Sequence, residues 1–247
     1  MAIIFYDIAT RNHQGTVSSN TLRTSLCLHF KGLAFKTEWI ELPDIERFSI
    51  ENGIAATSTK EDGSPFYTLP AIYDTSTGTK LADSWEIALY LDKTYPDTPR
   101  LLPKGTIALQ RAFTDSLPGL FAPGALFNVE GIHKTISPGG LARYEQLLVE
   151  RAGKPLEELI PKGDDAVSGW AKYQESLEKL DAWYATSDGP FLAGDTPVWA
   201  DFIVGAMFIA HRGIFGKEHD ARWKELAGWH NGRWGRLVEL LEERRVI

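Results

Sequence analysis

Short apolar runs and helical spacing alternate along the first 95 residues of the chain. Residues 3–8 are apolar and rich in β-prone side chains, which predicts a buried first strand. Apolar residues recur every four positions over 21–31, and this spacing predicts a helix that ends at Gly32. Alternation over 35–41 predicts a second strand, parallel to the first because the helix between them serves as the crossover.

The pattern is less regular in the middle of this region. Residues 43–64 show no clear periodicity, and we expect an irregular segment with one short helix. A strand that starts at residue 69 or 70, a hairpin turn and a second strand over 80–82 follow. A helix over 84–94, ended by a proline two residues later, completes the region. The order βαβ followed by αββα predicts a small mixed sheet covered by helices.

Strand signals nearly disappear after a stiff, proline-containing stretch at 96–103, which we interpret as a linker. The apolar positions beyond it have helical spacing over 108–117, 141–152, 165–186, 200–211 and 222–243. The pattern therefore predicts two domains, a mixed α/β domain over 1–95 and an all-helical domain over 104–247.

Composition and charge narrow the class of partner. The net charge of −7 over 247 residues argues against nucleic acid, because phosphate binding needs a basic surface. No apolar run is long enough to span a bilayer, and residues 1–7 are too short and too soon acidic for a signal peptide. A single cysteine, Cys27, excludes an intrachain disulfide, and the six histidines lack the spacing of metal ligands. We expect a cytoplasmic protein without metal or membrane partner.

Two dipeptides in the first domain indicate a binding site for a small anion. Proline cannot donate to a central ladder, so Pro70 must lie at a strand end or bulge, and a cis Leu69–Pro70 bond would turn the neighbouring backbone outward. Asp83 and Ser84 open the following helix, whose unpaired amides and positive dipole end favour a carboxylate. The arrangement predicts a site for a small anionic peptide.

The order of elements and these dipeptides resemble the cytosolic glutathione transferases. Leu69-Pro70 resembles their apolar-residue–cis-proline step and Asp83-Ser84 their acidic-residue–serine step, while residues 194–201 resemble the motif that starts the core helix of their second domain. Further segments are similar to the fungal FuA class, which resembles the bacterial glutathione-dependent β-etherases: 18–24, 30–33 and 39–45. The resemblance implies a thioredoxin-like N-terminal domain, with a cis-proline, that binds glutathione, and an all-helical C-terminal domain that contributes a hydrophobic substrate site.

The resemblance also implies a catalytic serine. Ser18 falls on the serine that activates the glutathione thiol in the family, where it donates a hydrogen bond to sulfur without acting as a nucleophile. Family members usually read Ser-Pro-Asn where this chain has Ser18-Ser19-Asn20, so Ser19 is a rival donor. The residues alone leave a simpler alternative open, in which these three side chains are candidate caps for the first helix.

The remaining predicted site residues would contact three parts of glutathione: the cysteinyl part, the γ-glutamyl end and the glycyl carboxylate. The resemblance implies that the backbone of Leu69, held by Pro70, pairs with the cysteinyl part, and that Asp83 and Ser84 receive the γ-glutamyl end, with Asn20 also in contact. Asp83 could equally be an N-cap, with Glu86 completing a capping box. The cation or amide donor for the glycyl carboxylate stays open among three residues of the sequence: Lys36, Asn52 and Lys60.

The second substrate is predicted to be a hydrophobic aromatic electrophile, and Phe121, Phe127 and Trp199 are candidates for its pocket. The resemblance implies a homodimer. Glutathione-dependent β-aryl ether cleavage and ligandin-type binding without catalysis are the alternatives. Thiol–disulfide exchange needs a cysteine where Ser18 stands, and we expect Cys27, two turns into the helix, to be a packed side chain.

One departure from the family pattern affects the second domain. Val198 stands where the core-helix motif commonly has a serine or threonine N-cap, and the loss of that acceptor costs about 1 kcal/mol unless Thr196 or a water replaces it. Asp201, three residues on, fits the reciprocal half of a capping box.

Overall fold

A computed structural model of the chain describes residues 3–13, 15–215 and 220–243. The strands are β1 (Ile3–Ile8), β2 (Phe35–Ile40), β3 (Ser58–Thr59), β4 (Pro65–Phe66), β5 (Ala71–Asp74) and β6 (Thr79–Ala82). The helices of the first half are α1 (Ser19–Phe30), α2 (Ile45–Glu51) and α3 (Ser84–Thr94). Those of the second half are α4 (Ile107–Phe121), α5 (Val129–Thr135), α6 (Leu141–Ala152), α7 (Leu156–Leu159), α8 (Gly163–Ser176), α9 (Glu178–Ala185), α10 (Trp199–Phe215) and α11 (Asp220–Glu243).

The sheet confirms the predicted mixed topology. Its strand order is β2-β1-β5-β6, in which β1 is parallel to β2 and antiparallel to β5, and β5 is antiparallel to β6. The irregular segment holds one short α-helix, α2, together with a 3₁₀ turn over Leu42–Asp44 and the small β3–β4 hairpin. The predicted domain limits at 95 and 104 stay a prediction; α3 ends and α4 begins on either side of them.

The helical half differs from the predicted segments at four places, one of which is the four-residue helix α7. Residues 122–135 form a 3₁₀ stretch and α5, each too short to show two helical periods. The segment 165–186 is two helices, which meet where the Ser176 hydroxyl donates to the carbonyl oxygens of Leu120 (2.8 Å) and Tyr173 (2.7 Å). Such a side-chain bond competes with the helical ladder.

The fourth difference is a break inside α11, which we expected to be continuous over 222–243. Trp229 is extended, and His230, Asn231 and Gly232 have φ values of 53°, 59° and 78°. Asn and Gly tolerate this left-handed region, and the Trp234 indole holds His230 by donating to its Nδ1 at 2.9 Å.

The start of α10 is capped although Val198 has no side-chain acceptor for the first helical amides. The Val198 amide donates to Asp201 Oδ2 at 2.9 Å, which is the predicted reciprocal half of a capping box. Gln110 of α4 supplies the acceptor that Val198 lacks, since its Oε1 accepts a hydrogen bond from the Ala200 amide at 3.0 Å. Neither Thr196 nor a water is needed for this role. Burial raises the pKa of Asp201 to about 6, although its amide partners and the Tyr184 hydroxyl oppose that shift.

A buried ion pair joins the two domains through the linker. Lys31, at the C-terminal end of α1, donates from Nζ to Asp92 Oδ1 at 2.8 Å and to the Pro99 carbonyl oxygen at 3.0 Å. Asp92 also accepts the amides of Leu101 and Leu102 at 2.9–3.1 Å. The Lys31 side chain has no exposed surface and that of Asp92 is 8% exposed, so the two charges satisfy each other out of solvent.

A second junction lies at the end of β1. Thr10 and Ile136 form an isolated antiparallel bridge, and the Ser137 amide donates to the Ala9 carbonyl oxygen at 3.1 Å. The Arg11 side chain adds a hydrogen bond to the Lys134 carbonyl oxygen at 2.6 Å. These contacts dock the end of α5 and the start of α6 against the first domain.

Cys27 is buried in α1, where burial and the nearby Asp92 carboxylate raise the pKa of its thiol well above the usual value. The expectation of a packed side chain is therefore confirmed. Over the described residues, the helices are too short or too polar to cross a membrane.

The buried pair yields the first prediction. Asp92→Ala strands the Lys31 ammonium and the amides of Leu101 and Leu102 without their acceptor. Removing one partner of a buried pair costs about 3–5 kcal/mol, and we expect a loss of that size in the free energy of urea unfolding. Asp115→Ala on α4 is the matched control, because Asp115 pairs with Arg111 on the surface and should lose less than about 0.5 kcal/mol.

Candidate active site

A cleft of about 440 Å³ opens between the sheet domain and the helical domain. One wall carries four of the predicted site residues: Ser18, Ser19, Asn20 and Leu69. The facing wall comes from the helical domain and includes Ile132, Tyr144, Leu147 and Arg151. The cleft therefore combines a polar wall at the start of α1 with a helical wall, around α5 and α6, that presents apolar side chains together with Arg143 and Arg151.

Ser18 is the N-cap of α1. Its backbone is extended (φ −114°, ψ 116°), and its Oγ accepts the Thr21 amide at 3.4 Å. Of the three candidate caps, the structure thus uses Ser18, while Ser19 is the first helical residue and Asn20 the second. The capping and catalytic interpretations are compatible, because a hydroxyl that accepts an amide still has one hydrogen to donate.

The Ser18 backbone is held from behind by two threonines that the sequence did not single out. Its amide donates to Thr16 Oγ1 at 3.1 Å, and its carbonyl oxygen accepts the Thr21 hydroxyl at 3.0 Å. Thr16 in turn donates to Asp7 Oδ1 at 3.2 Å. Asp7 is 3% exposed, and burial raises its pKa to about 6 against the opposing hydrogen bonds of Thr21, Ile8 and Thr16.

Leu69 and Pro70 lie at the start of β5, and the peptide bond between them is cis. The Pro70 carbonyl oxygen accepts the Asp83 amide at 3.2 Å, so the two predicted dipeptides are hydrogen-bonded neighbours. Leu69 lines the cleft, whereas Pro70, Asp83 and Ser84 are not among the lining residues.

Asp83 caps α3 and has a backbone outside the usual regions. Its Oδ1 accepts the amides of Trp85 (2.9 Å) and Glu86 (3.1 Å), which confirms the N-cap. The expected capping box is only half formed, since the Asp83 amide donates to Pro70 and the Glu86 side chain is exposed. A φ of 77° at a non-glycine residue stores strain of about 1–3 kcal/mol, which the surrounding structure must offset.

The cleft also distinguishes among the three candidates for a glycyl carboxylate. Lys60 lines it and pairs with Glu46 at 3.2 Å. Lys36 instead pairs with Glu38 on β2, and the Asn52 amide group donates to the Phe48 carbonyl oxygen, away from the cleft.

The three aromatic residues predicted for the second-substrate pocket are not among the cleft residues. Phe121 packs edge-on against Phe208 in the helical core, with ring centroids 5.7 Å apart. Trp199 is fully buried at the start of α10. Phe127 is buried too, and its ring edge borders surface grooves elsewhere on the helical domain.

Comparison with known proteins places the chain in a family. Residues 17–94 match the family model described as Glutathione S-transferase, N-terminal domain, and residues 108–243 match Glutathione S-transferase, C-terminal domain. A curated relative, the glutathione S-transferase-like protein ustS of Aspergillus flavus, is 30% identical over 91% of this chain and 85% of its own length. The chain belongs to the glutathione S-transferase family.

Solved structures of fungal glutathione transferases share the whole fold. CsGST83044 of Ceriporiopsis subvermispora, crystallised in complex with glutathione, is 34% identical with a TM-score of 0.92 over 98% of this chain and 99% of that one. GSTFuA3 from Phanerochaete chrysosporium is 35% identical with a TM-score of 0.90 over 100% and 98%. The resemblance to the FuA class is confirmed. The β-etherase LigF from a Sphingobium strain, at 18% identity and a TM-score of 0.56, shares the fold alone.

The helical wall of this transferase holds the residues that sequence reasoning missed. Tyr144, Leu147 and Arg151 are spaced three and four apart, so they share one face of α6. The Tyr144 hydroxyl donates to the Val129 carbonyl oxygen at 3.2 Å, and burial raises its pKa. Helical spacing could show that these residues share one face of α6. It could not show that this face lines the cleft, because that depends on how the junction around Ile136 docks α6 against the first domain.

No group of residues suited to hold a metal occurs within 3–13, 15–215 and 220–243.

Asp83 provides the second prediction. Ala at this position loses the cap, worth about 1 kcal/mol, and keeps the strained backbone. Gly loses the cap too but adopts the positive φ freely. The free energy of unfolding, measured in urea, should therefore be about 1–2 kcal/mol higher for Asp83→Gly than for Asp83→Ala. Equal stabilities of the two variants would show that the φ of 77° carries no strain.

Proposed function

We propose that this chain is a serine-type glutathione transferase in which the Ser18 hydroxyl donates to the sulfur of bound glutathione. The observation that carries the proposal is the position of Ser18, which caps α1 and lines the cleft at the same time. The resulting thiolate attacks a hydrophobic aromatic electrophile held against the helical wall.

The chemistry requires a lower thiol pKa. A free thiol near pKa 8.5 is only a few per cent ionised at neutral pH. A hydrogen bond to a charged acceptor is worth about 1.5–3 kcal/mol, which corresponds to about one to two pKa units in favour of the thiolate. The positive end of the α1 dipole acts in the same direction.

Glutathione is proposed to lie along the polar wall with its sulfur at the start of α1. The Leu69 backbone pairs with the cysteinyl part, and Pro70 holds that backbone in place. The start of α3, with Asp83 and Ser84, receives the γ-glutamyl end, and Asn20 borders the peptide. Lys60 is the candidate for the glycyl carboxylate, because it faces the cleft.

Ser18 is favoured over Ser19 by the geometry of the cap. Ser18 is extended, with its backbone fixed by Thr16 and Thr21, whereas Ser19 is the first residue of the helix itself. A donor held at both backbone atoms stays in place when the ligand arrives, and such preorganisation is what stabilises developing charge.

The facing wall supports an apolar acceptor. Ile132, Ile136 and Leu147 present aliphatic surface to the cleft, and Tyr144 adds an aromatic ring. We therefore propose these residues for the second-substrate pocket in preference to Phe121, Phe127 and Trp199. In a conjugation the sulfur forms a bond to the electrophilic carbon, and the leaving group departs with the bonding pair.

Ligandin-type binding is the second candidate, because Ser19 replaces the proline that usually follows the catalytic serine. A steady-state assay with an aryl halide or an isothiocyanate separates the two functions. Turnover supports the transferase, whereas inactivity combined with tight binding of glutathione and aromatic compounds supports the binder. A homodimer in the cytoplasm is proposed on the resemblance to the family.

The third prediction concerns the serine pair. Ser18→Ala should raise the thiol pKa of bound glutathione by about one to two units and reduce kcat at neutral pH about 10- to 100-fold. Ser19→Ala is the matched control and should change both quantities little. The thiol pKa is measured from the ultraviolet absorbance of the thiolate in the binary complex. The opposite pattern would transfer the role to Ser19.

The fourth prediction tests the glycyl contact. Lys60→Met removes the cation but keeps the length of the side chain, and we expect KM for glutathione to rise about 5- to 30-fold with kcat nearly unchanged. Lys36→Met removes an equal charge outside the cleft and serves as the control. Equal KM values for the two variants would exclude Lys60 from the glutathione site.

A further inference from the structure

Asp7 is a buried carboxylate that the proposed reaction does not use directly. It lies in β1 behind the Ser18 segment, is 3% exposed, and accepts the Ile8 amide at 2.7 Å. Within the described residues it forms no ion pair. An unneutralised buried carboxylate is costly to the folded state, which makes a functional reason for its retention worth seeking.

When the Asp7 carboxylate is ionised, it determines which of the surrounding groups donate hydrogen bonds and which accept them. An ionised carboxylate only accepts, so the single hydroxyl hydrogen of Thr16 goes to Asp7 Oδ1 at 3.2 Å. Thr16 Oγ1 is then left as an acceptor for the Ser18 amide at 3.1 Å. The single hydroxyl hydrogen of Thr21 is then shared between Thr16 Oγ1 at 2.7 Å and the Ser18 carbonyl oxygen at 3.0 Å.

We propose that Asp7 is a positioning residue for Ser18: its carboxylate orients the Thr16 hydroxyl, and Thr16 and Thr21 together fix the backbone from which Ser18 addresses the glutathione sulfur. The inference rests on the proposed role of Ser18. Without the negative charge, the Thr16 hydrogen can turn toward the Ser18 carbonyl oxygen, 3.3 Å away, and the hold on the Ser18 amide weakens.

Two ionisable side chains, His29 and Arg212, share a cavity with Asp7 and Thr16. A second cavity, separate from the cleft, is lined by Asp7, His29 from α1 and Arg212 from α10. Arg212 is already paired with Glu242, a contact that raises its pKa. Among the described residues, the side chains that link Asp7 to the Ser18 backbone by hydrogen bonds are the uncharged Thr16 and Thr21, so its charge acts on the serine through these two hydroxyls.

Burial raises the pKa of Asp7 to about 6, so it is mostly ionised at neutral pH. The positioned arrangement is therefore present above pH 6 and is lost as the pH falls through 6. Removal of the Asp7 charge also distinguishes a positioning role from a direct electrostatic effect, because the two roles predict opposite changes in the thiol pKa of bound glutathione. By Coulomb's law, loss of a nearby negative charge lowers the thiol pKa of bound glutathione, whereas loss of the Ser18 hold raises it.

The fifth prediction uses Asp7→Asn, which keeps the shape and one acceptor oxygen. Since hydrogen bonds to a charged group are about twice as strong as neutral ones, we expect the thiol pKa of bound glutathione to rise by about half a unit to one unit. We also expect kcat to fall about three- to tenfold at pH 7, with KM for glutathione unchanged. Difference absorbance of the binary complex gives the thiol pKa.

Two further variants make the outcome decisive. Thr16→Val removes the relay but keeps the Asp7 charge, and it should raise the thiol pKa in the same direction. Asp115→Asn, on the surface of α4, removes a charge elsewhere and should leave the thiol pKa unchanged. A fall or no change in the thiol pKa of both Asp7→Asn and Thr16→Val would overturn the inference.

The proposed function and this inference fail in distinguishable ways. If Ser18→Ala leaves the thiol pKa and kcat unchanged, the role of Ser18 is wrong and the inference falls with it. If Ser18→Ala raises the thiol pKa while Asp7→Asn and Thr16→Val do not, the serine is confirmed and Asp7 is excluded as its positioning residue. If Asp7→Asn unfolds, Thr16→Val alone decides the outcome.

Discussion

The Lys31–Asp92 ion pair is the constraint on which the arrangement of the two domains depends. It joins the C-terminal end of α1, the last turn of α3 and the amides of Leu101 and Leu102, where the chain enters the helical domain. A buried pair adds little net stability over an apolar alternative, because desolvation offsets much of its attraction. Its effect is directional, because Asp92 takes its ammonium partner from the end of α1 and its amide partners from the segment that leads into the helical domain.

This constraint matters because α1 carries the site at its other end. The helix is fixed near its C-terminus by Lys31 and at its N-terminus by the threonines that hold Ser18. The bridge between Thr10 and Ile136 then sets the start of α6 against the same region. Contacts at both ends of α1 thus fix the position of Ser18 relative to the helical wall of the cleft. The proposed attack of a thiolate on a bound electrophile requires such exact placement of the reacting groups.

The sequence allowed prediction of whatever depends on local periodicity and on short motifs. The parallel pairing of β1 with β2 follows from the crossover helix between them. A cap for α1 among residues 18–20, the Asp83 cap and the Asp201 half of the capping box follow from residues within one or two turns of each other. The partner of the Ala200 amide could not be predicted, because Gln110 lies ninety residues away. The cleft-facing side of α6 and the Asp7–Thr16 contact also emerged only from the fold, because each depends on how an irregular segment packs and not on local periodicity.

Three acidic residues show where the fold accepts an unfavourable arrangement. Burial raises the pKa of both Asp7 and Asp201 to about 6, so each contributes stability that is complete below the unfolded value near 3.9 and is lost as the pH rises through 6. Asp201 recovers part of this loss through two amides and a tyrosine hydroxyl. Asp7 and the strained Asp83 have less local compensation, and both stand beside the proposed glutathione site, which is where selection for function rather than for stability would retain them.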